Sequence, residues 1–536
     1  MWKWCYSDLR ASQSKKSASK NHLCSWFLYC YNLLSLFIEN GSIAFKKLLT
    51  MMIFTEQLRL DIKSALRLLF VLTAAIILSA CDQPEKVSPV SLLLPDAEDA
   101  PKRDQVPAGS LLETIKKHGK LIVLTTNLPT TYYYDRDNNL AGPEYDMTQS
   151  FAKSLQVEVE YKVYASTKAL IKALRNNEGD IAAAGLTVND IRKKEFDFGP
   201  VYQKTNEYLV CHRSKKNIKD VEELNGLEII VAADSAYIDT IKSYPEMSWA
   251  ADDEQNTAEL LAQVADKKIE CTISDSTLYS IERRYYTEIQ KKYEFTKDSQ
   301  LAWMLNKNND KLKLAIKEWF DQYKQNYDLA YTMEKYYGYV EVFDYVDTHK
   351  FLTRVNTRLP KYKDFFIDAA NKNDIEASLL AAQSYQESHW DRKAKSPTGV
   401  RGIMMLTQPV AKSLGVTNRL NAEQNIYAGA KFQAKMKKMV EDVDEPDRSW
   451  LALAAYNVGR GHFRDAQSLA KKMNKNPDRW AEMKEILPLL SQKKFYKDLR
   501  YGYARGNEPV RYVTRIRNYD GLLLKHFGRE KFDGVQ

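Results

Sequence analysis

The sequence predicts a multidomain chain in which an α/β region is followed by a mainly α-helical one. Three observations carry this. Between residues 121 and 324, short apolar β-type runs alternate with helical patterns, as in an α/β domain with mostly parallel sheets. From Tyr362 onward strand signals vanish and helical periodicity takes over. With 536 residues and 44% hydrophobic content, the chain is long enough for two or three domains with real cores.

In chain order, the first feature is an export signal. Arg59, Lys63 and Arg67 precede residues 68–80, an uncharged apolar stretch that is too short for a comfortable membrane span and right for a signal h-region. It ends Leu78-Ser79-Ala80-Cys81, which resembles a bacterial lipobox. That resemblance implies that Cys81 becomes the lipidated first mature residue, its acyl chains anchoring the protein at about 0.8 kcal/mol per buried methylene. An ordinary cleaved signal, with Cys81 incidental, is the alternative. Met51 and Met52 stand where such a signal normally begins. We read residues 1–50 as a misassigned upstream extension, 51–80 as the signal peptide and 81–110 as a Pro/Asp/Glu/Ser-rich tether. A second apolar run at 23–38 keeps an extra anchor open as the other reading.

The formal charge of +9 sits mostly ahead of the mature body, leaving only +3 after Ala80. A basic nucleic-acid face is not indicated. Of the six cysteines, only Cys211 and Cys271 follow Cys81. An exported protein permits a disulfide between them, but two separate buried thiols is the simpler reading. The seven His are scattered without metal-ligand spacing, so neither a metal nor a cofactor is expected.

Residues 111–345 form the α/β domain. Strands are expected at 121–125, 157–163, 180–184, 208–211, 228–232 and 269–273, and helices at 145–155, 168–175 and 311–324. The motifs Gly142-Pro-Glu-Tyr-Asp146, Gly179-Asp180, Gly185-Leu-Thr187-Val-Asn-Asp-Ile-Arg192 and Asp197-Phe-Gly-Pro-Val-Tyr202 resemble type 3 extracellular solute-binding domains. The resemblance implies a two-lobed, periplasmic-binding-protein-like fold closing over an amino acid. It also implies that Arg192 grips the ligand carboxylate, a task suited to the planar guanidinium fork, and that Asp275 meets the ligand amine. Arg192 is followed by Lys193, Lys194 and Glu195, so membership of a solvated charged face is its other reading. Asn189 replaces a common Thr, and Asp190-Ile191 stands where Pro-Glu is frequent. An amino acid or a muropeptide stem fits such a clamp, since both present carboxylates and amines.

Residues 346–536 form the helical domain, with a composition switch over 345–360 read as a short connection. Helices are expected at 365–371, 375–387, 425–438, 450–457 and 513–526, with Asp374 capping the second. Leu380, Ser384 and Glu387 fall at i, i+4 and i+7, so Glu387 points along a partly apolar stripe. Desolvation there raises its pKa, which a group protonating a glycosidic oxygen near neutral pH requires.

Glu387 lies in Ser384-Tyr-Gln-Glu387-Ser388 and is followed by Ser396-Pro-Thr-Gly399, Gly402-Ile-Met-Met405, Asn425-Ile426, Ala455-Tyr456-Asn457-Val-Gly459 and Tyr512-Val513. This ordered set resembles the lysozyme-like catalytic domain of soluble-lytic-transglycosylase-type enzymes, which cut peptidoglycan. The resemblance implies Glu387 as the catalytic acid/base, with Ser396, Met405, Tyr456, Asn457 and Tyr512 along the sugar cleft. Met405 departs from the family's Gly-Leu-Met-Gln pattern and removes an amide from that cleft.

The function implied is a peptidoglycan lytic transglycosylase of the cell envelope, regulated by its solute-binding domain. It would be held by a lipid anchor at the periplasmic face of the outer membrane. Asp82, directly after Cys81, keeps the inner membrane as the alternative. Two other functions stand beside this one. A lysozyme-like hydrolase would use Asp391 as the second carboxylate that ordinary glycosidases need. A non-enzymatic envelope receptor would bind glycan or amino acid without cutting.

Overall fold

In a computed structural model that describes residues 110–528 and 532, apart from 136–138, 234, 246, 341–344 and 398, the apolar runs assemble into two five-stranded sheets. The signal, Cys81, Asp82, the run at 23–38 and nearly all of the tether lie outside the described residues. No helix among the described residues is long and apolar enough to cross a membrane.

The strands are β1 (Lys120–Thr126), β2 (Tyr133–Tyr134), β3 (Leu140–Ala141), β4 (Glu158–Tyr164), β5 (Ile181–Ala182), β6 (Phe196–Phe198), β7 (Gln203–His212), β8 (Glu228–Ala232), β9 (Ser248–Asp252), β10 (Cys271–Asp275), β11 (Ile289–Leu301) and β12 (Met304–Asn306). The first lobe has the order β4-β1-β5-β12-β6 and the second β11-β7-β10-β8-β9. In the first, β1 buries Leu121, Val123 and Leu124 and pairs in parallel with β4 and β5. Both sheets are more mixed than expected. Strand β12 runs antiparallel to β5 and β6, and β7 runs antiparallel to β10 and β11. The cause is a double crossing: the chain leaves the first lobe into β7 and returns from β11, with Gln203 paired to Leu301 where the two passes meet.

Cys211 and Cys271 form a disulfide, which corrects the reading of two separate thiols. They stand opposite one another on adjacent antiparallel strands, a neighbourhood that their sequence separation of 60 does not reveal.

Ten helices matter for the sites: α1 (Pro143–Leu155), α2 (Asp190–Glu195), α3 (Ser276–Glu282), α4 (Asp328–Tyr337), α5 (Tyr345–Thr357), α6 (Lys363–Asn371), α7 (Ala377–Ser388), α8 (Ala422–Lys437), α9 (Asp447–Val458) and α10 (Asn507–Phe527). The region expected as a short connection is helix α5, whose Phe351 and Val355 are fully buried in the helical core. Helix α7 is that core's centre, with every residue from Ala377 to Tyr385 buried. Its N-cap is Glu376, without a side-chain bond. Asp374 sits two residues earlier in the left-handed region (φ 52°), so the expected cap is not formed. Helix α10 packs along α7 and α9.

The α/β and helical parts meet through α4 and α10. Arg517 Nη1 of α10 donates to Glu334 Oε1 of α4 at 2.8 Å, and Lys484 also pairs with Glu334. Arg284 Nη1 donates to Asn518 Oδ1 at 3.3 Å. Both guanidinium groups lie over the Tyr339 ring, at 4.4 Å for Arg517 and 4.9 Å for Arg284.

Candidate active site and interlobe cavity

Helix α7 carries Glu387 one residue before its end at Ser388, next to Gln386, which lines a groove with Tyr512. Ser388 and Ser384 both donate their hydroxyls to Ile403 O, at 2.7 and 3.1 Å, tying the helix end to the loop that follows. The Glu387 carboxyl is partly buried, and desolvation pushes its pKa up to about 7 against the opposing pull of a Tyr512 hydrogen bond. Tyr512, from the first part of α10, donates its hydroxyl to Glu387 Oε1 at 2.5 Å. Gln383, one turn before Glu387 on α7, in turn donates to the Tyr512 hydroxyl at 3.2 Å.

The loop 401–406 forms another side of the site and is built around Gly402 and Asn425. Gly402 has φ 90°, and a Cβ there would meet Arg419 O at 2.1 Å, so only glycine lets the loop close against the α8 helix. The buried Asn425 accepts from Met404 N at 2.7 Å and donates to Arg419 O at 3.1 Å. Tyr456 donates to Met404 O at 3.0 Å, and desolvation, with the charge of Glu387 adding to it, raises the pKa of this partly buried phenol. Met405 follows with φ 46°, partly buried.

Glu387, Tyr456 and Tyr512 are therefore brought together, and Asn457 joins Tyr512 in lining one groove of about 370 Å³. Ser396 sits in the turn 396–400, its hydroxyl accepting from Val400 N at 3.2 Å. Asp391 is exposed, and its carboxylate accepts from Lys393 N at 2.9 Å in a local turn. Two functional residues are not legible in the sequence: Gln383, which lies in the Glu387 helix and carries no motif of its own, and Asn425 in its role of closing the loop.

Between the lobes lies a cavity of about 70 Å³ whose lining includes Arg192, Asp275, Thr187, Tyr202, Tyr237 and Tyr337. Arg192 is buried rather than on a solvated face, with Nη1 donating to Thr187 O at 3.0 Å. Asn189, the residue that departs from the common Thr, caps α2 by accepting from Arg192 N at 2.8 Å. Asp275 caps α3, accepting from Thr277 N and Leu278 N at 2.9 and 3.0 Å; burial raises its pKa and these bonds oppose the rise. Glu144, at the start of α1, belongs to the Gly142–Asp146 motif, which by itself assigns it no role. It is buried, accepts from Gly185 N at 2.9 Å and from the Tyr202 hydroxyl, and burial pushes its pKa up to about 7.

A two-lobed domain with a cavity between its lobes, joined to a helical domain whose partly buried Glu387 meets a tyrosine hydroxyl, fits a class: a glycan-cleaving enzyme carrying a solute-binding module. Comparison with known proteins agrees. Residues 120–339 match the bacterial extracellular solute-binding proteins, family 3, and residues 364–478 match the transglycosylase SLT domain. Membrane-bound lytic murein transglycosylase F 2 of Alkalilimnicola ehrlichii is 40% identical over 441 residues, covering 81% of this chain and 97% of that protein. Membrane-bound lytic murein transglycosylase F of Shewanella woodyi is 41% identical over 408 residues, covering 74% of this chain and 84% of its own. Among solved structures, an ancestral arginine-binding protein bound to arginine aligns at 22% identity with a TM-score of 0.38, covering 41% of this chain and 98% of that one. The chain belongs to the membrane-bound lytic murein transglycosylase F family and is a peptidoglycan lytic transglycosylase.

Proposed function

We propose that this enzyme cleaves the β-1,4 bond between N-acetylmuramic acid and N-acetylglucosamine with Glu387 as its one catalytic carboxylate. The observation that carries this is the Glu387–Tyr512 pair, an acid held near neutrality by burial. Near neutral pH such a group is protonated in a large fraction of molecules and is also a competent base once ionised. In the first step the Glu387 proton goes to the glycosidic oxygen as the bond from that oxygen to muramyl C1 breaks. In the second, the carboxylate takes the proton of the muramyl 6-hydroxyl as that oxygen bonds to C1. The product carries a 1,6-anhydro ring, no water is consumed, and Glu387 is again protonated.

The position of Asp391 favours this over hydrolysis. An inverting or retaining glycosidase needs a second carboxylate facing the sugar, whereas Asp391 is exposed and engaged by its own turn. Tyr456, Asn457, Met405 and Ser396 contact the glycan in this reading. Tyr456 and Asn425 also fix the loop that carries Met405. Product mass decides between the two chemistries, since an anhydro end is lighter by one water than a hydrolysed reducing end.

The interlobe cavity takes an amino acid or the end of a muropeptide stem, with Arg192 on its carboxylate and Asp275 on its amine. At roughly 10–15 Å³ per water-sized group, a cavity of about 70 Å³ has room for a small amino acid. The ligand regulates cleavage. Tyr337 of α4 lines the cavity, Glu334 of the same helix pairs with Arg517, and Arg517 shares α10 with Tyr512. A ligand acts through its differential affinity for the open and closed lobes, and coupling of about 1–3 kcal/mol is the ordinary size of such effects. Calorimetry with amino acids and muropeptides on wild type and Arg192→Ala tests the site. The enzyme works in the cell envelope, held through lipidated Cys81 at the periplasmic face of the outer membrane, and Cys81→Ser releases it to the soluble fraction.

A further inference from the structure

Helix α10 contributes more to the cleft than Tyr512. Glu508, Arg511, Tyr512 and Arg515 line the same groove as Gln386 and Asn457. On the helix, Arg511 and Arg515 are one turn apart and straddle the tyrosine that touches the catalytic acid. Tyr512 is buried, while both arginines are exposed. The one carboxylate in the groove, Glu508, is turned to Arg505, whose Nη1 lies 3.3 Å from its Oε1. Among the described residues, neither Arg511 nor Arg515 has a carboxylate within ion-pair distance. Arg515 shares its surroundings with two further arginines. Arg354, Arg358 and Arg515 all act to lower the pKa of His389 beyond the effect of its burial, with Asp347 opposing them. Arg358 Nη1 donates to His389 O at 3.0 Å, and Arg354 Nη1 to the Tyr385 hydroxyl at 2.9 Å.

Two exposed guanidinium groups beside the tyrosine that touches Glu387 have no use for the glycan backbone, whose N-acetylated hexosamines are neutral. The negative charge of the substrate resides on its peptide stems, which hang from the lactyl group of each muramyl residue. Guanidinium is the side chain best matched to carboxylate, since its fork gives two parallel charge-assisted bonds. Gln386 and Asn457 add amide donors and acceptors of the kind that peptide bonds require. We propose that Arg511 and Arg515 form a stem-peptide subsite that binds carboxylates of the muramyl peptide next to the cleaved bond. Glycan bearing stems is then bound more tightly than bare glycan. The subsite rests on the glycan-cleaving reading of the cleft and specifies which form of the polymer that cleft prefers.

The test is binding of soluble tetrasaccharide fragments, with and without their peptide stems, to the full-length Glu387→Gln protein. The same titrations are run on Glu387→Gln combined with Arg511→Ala and Arg515→Ala. The expected result is that stems tighten binding about tenfold in the parent and that the double replacement removes this gain, a loss of about 1.4 kcal/mol. Stem-free fragment should bind both proteins equally, which also reports that the fold is intact. Fragments whose stem carboxylates are converted to amides should behave as stem-free, and Arg511→Lys with Arg515→Lys should recover part of the gain. The proposal is overturned if stems add no affinity in the parent, if their contribution survives the double replacement, or if binding of both fragments falls together. Cleavage of murein by wild type, followed in parallel by product mass, reports on the underlying reading independently of these outcomes.

Discussion

The Tyr512 hydroxyl donates to Glu387 Oε1 at 2.5 Å, across 125 residues of sequence. This bond favours the ionised carboxyl, while burial favours the neutral one and is the larger effect. The acid's working pKa is the difference between the two.

Tyr512→Phe removes the bond and leaves the burial. The Glu387 pKa should then rise, and the alkaline limb of the kcat–pH profile should move to higher pH. A hydrogen bond to a charged group is worth about 1.5–3 kcal/mol, so kcat should also fall about 10- to 100-fold. A pH–rate profile on soluble glycan strands measures both effects. A limb that stays or moves down would show that the tyrosine does not stabilise the carboxylate.

Burial of the acid also costs stability. The folded protein holds the Glu387 proton to about pH 7, against a usual value of 4.5. The native state therefore binds more protons than the unfolded chain in that window. Stability is full below the unfolded pKa and falls as pH rises through the folded one. Allowing for partial exposure, the loss is about 2 kcal/mol. Glu387→Gln cannot ionise and should be more stable than wild type by that amount at about pH 8, with little difference at about pH 4. Urea midpoints at the two pH values give the comparison.

Arg517 and Glu334 are both nearly fully buried where the two parts of the molecule meet. Removing one partner of a buried pair leaves a charge without compensation, at a cost of about 3–5 kcal/mol. Lys484 also pairs with Glu334, so Arg517→Ala should cost toward the lower end, about 3 kcal/mol. Calorimetry should find a lowered unfolding transition, and any ligand effect on cleavage rate should shrink in the same variant.

The Cys211–Cys271 disulfide spans 60 residues within the second lobe. Chain-entropy reasoning puts the stabilisation from closing such a loop at about 4 kcal/mol. The double Ser variant should lose about that much in urea unfolding followed from the α/β domain, and ligand binding should weaken with it. An unchanged midpoint would mean that the β7–β10 pairing holds without the covalent link.

Much of this molecule is legible in its sequence, and the gaps have physical causes. Strand β8 and the core of β1 are continuous apolar runs and read directly. Strand β11 does not, because Gln290-Lys291-Lys292 near its start and Lys297-Asp298-Ser299-Gln300 near its end leave no apolar run to mark it, and three register shifts interrupt its pairing. Helix α5 reads as a connection because its apolar Phe351, Leu352 and Val355 stand among His349, Lys350, Thr353 and Arg354. At the site, Glu387, Tyr456 and Tyr512 were each named in advance, but their geometry was not. No spacing predicts that residue 512 touches residue 387, because long-range helix packing makes that contact. Glu144 and the disulfide escaped for the same reason: their partners are distant in sequence and adjacent only in the folded sheets.

The central claim is that Glu387 alone serves as acid and then base. Its most direct test is mass spectrometry of the fragments released from purified murein by wild type and by Glu387→Gln, with folding checked by circular dichroism. Wild type should release fragments ending in 1,6-anhydromuramic acid, and the folded variant should release none. Reducing ends from wild type, or substantial cleavage by Glu387→Gln, would contradict the account.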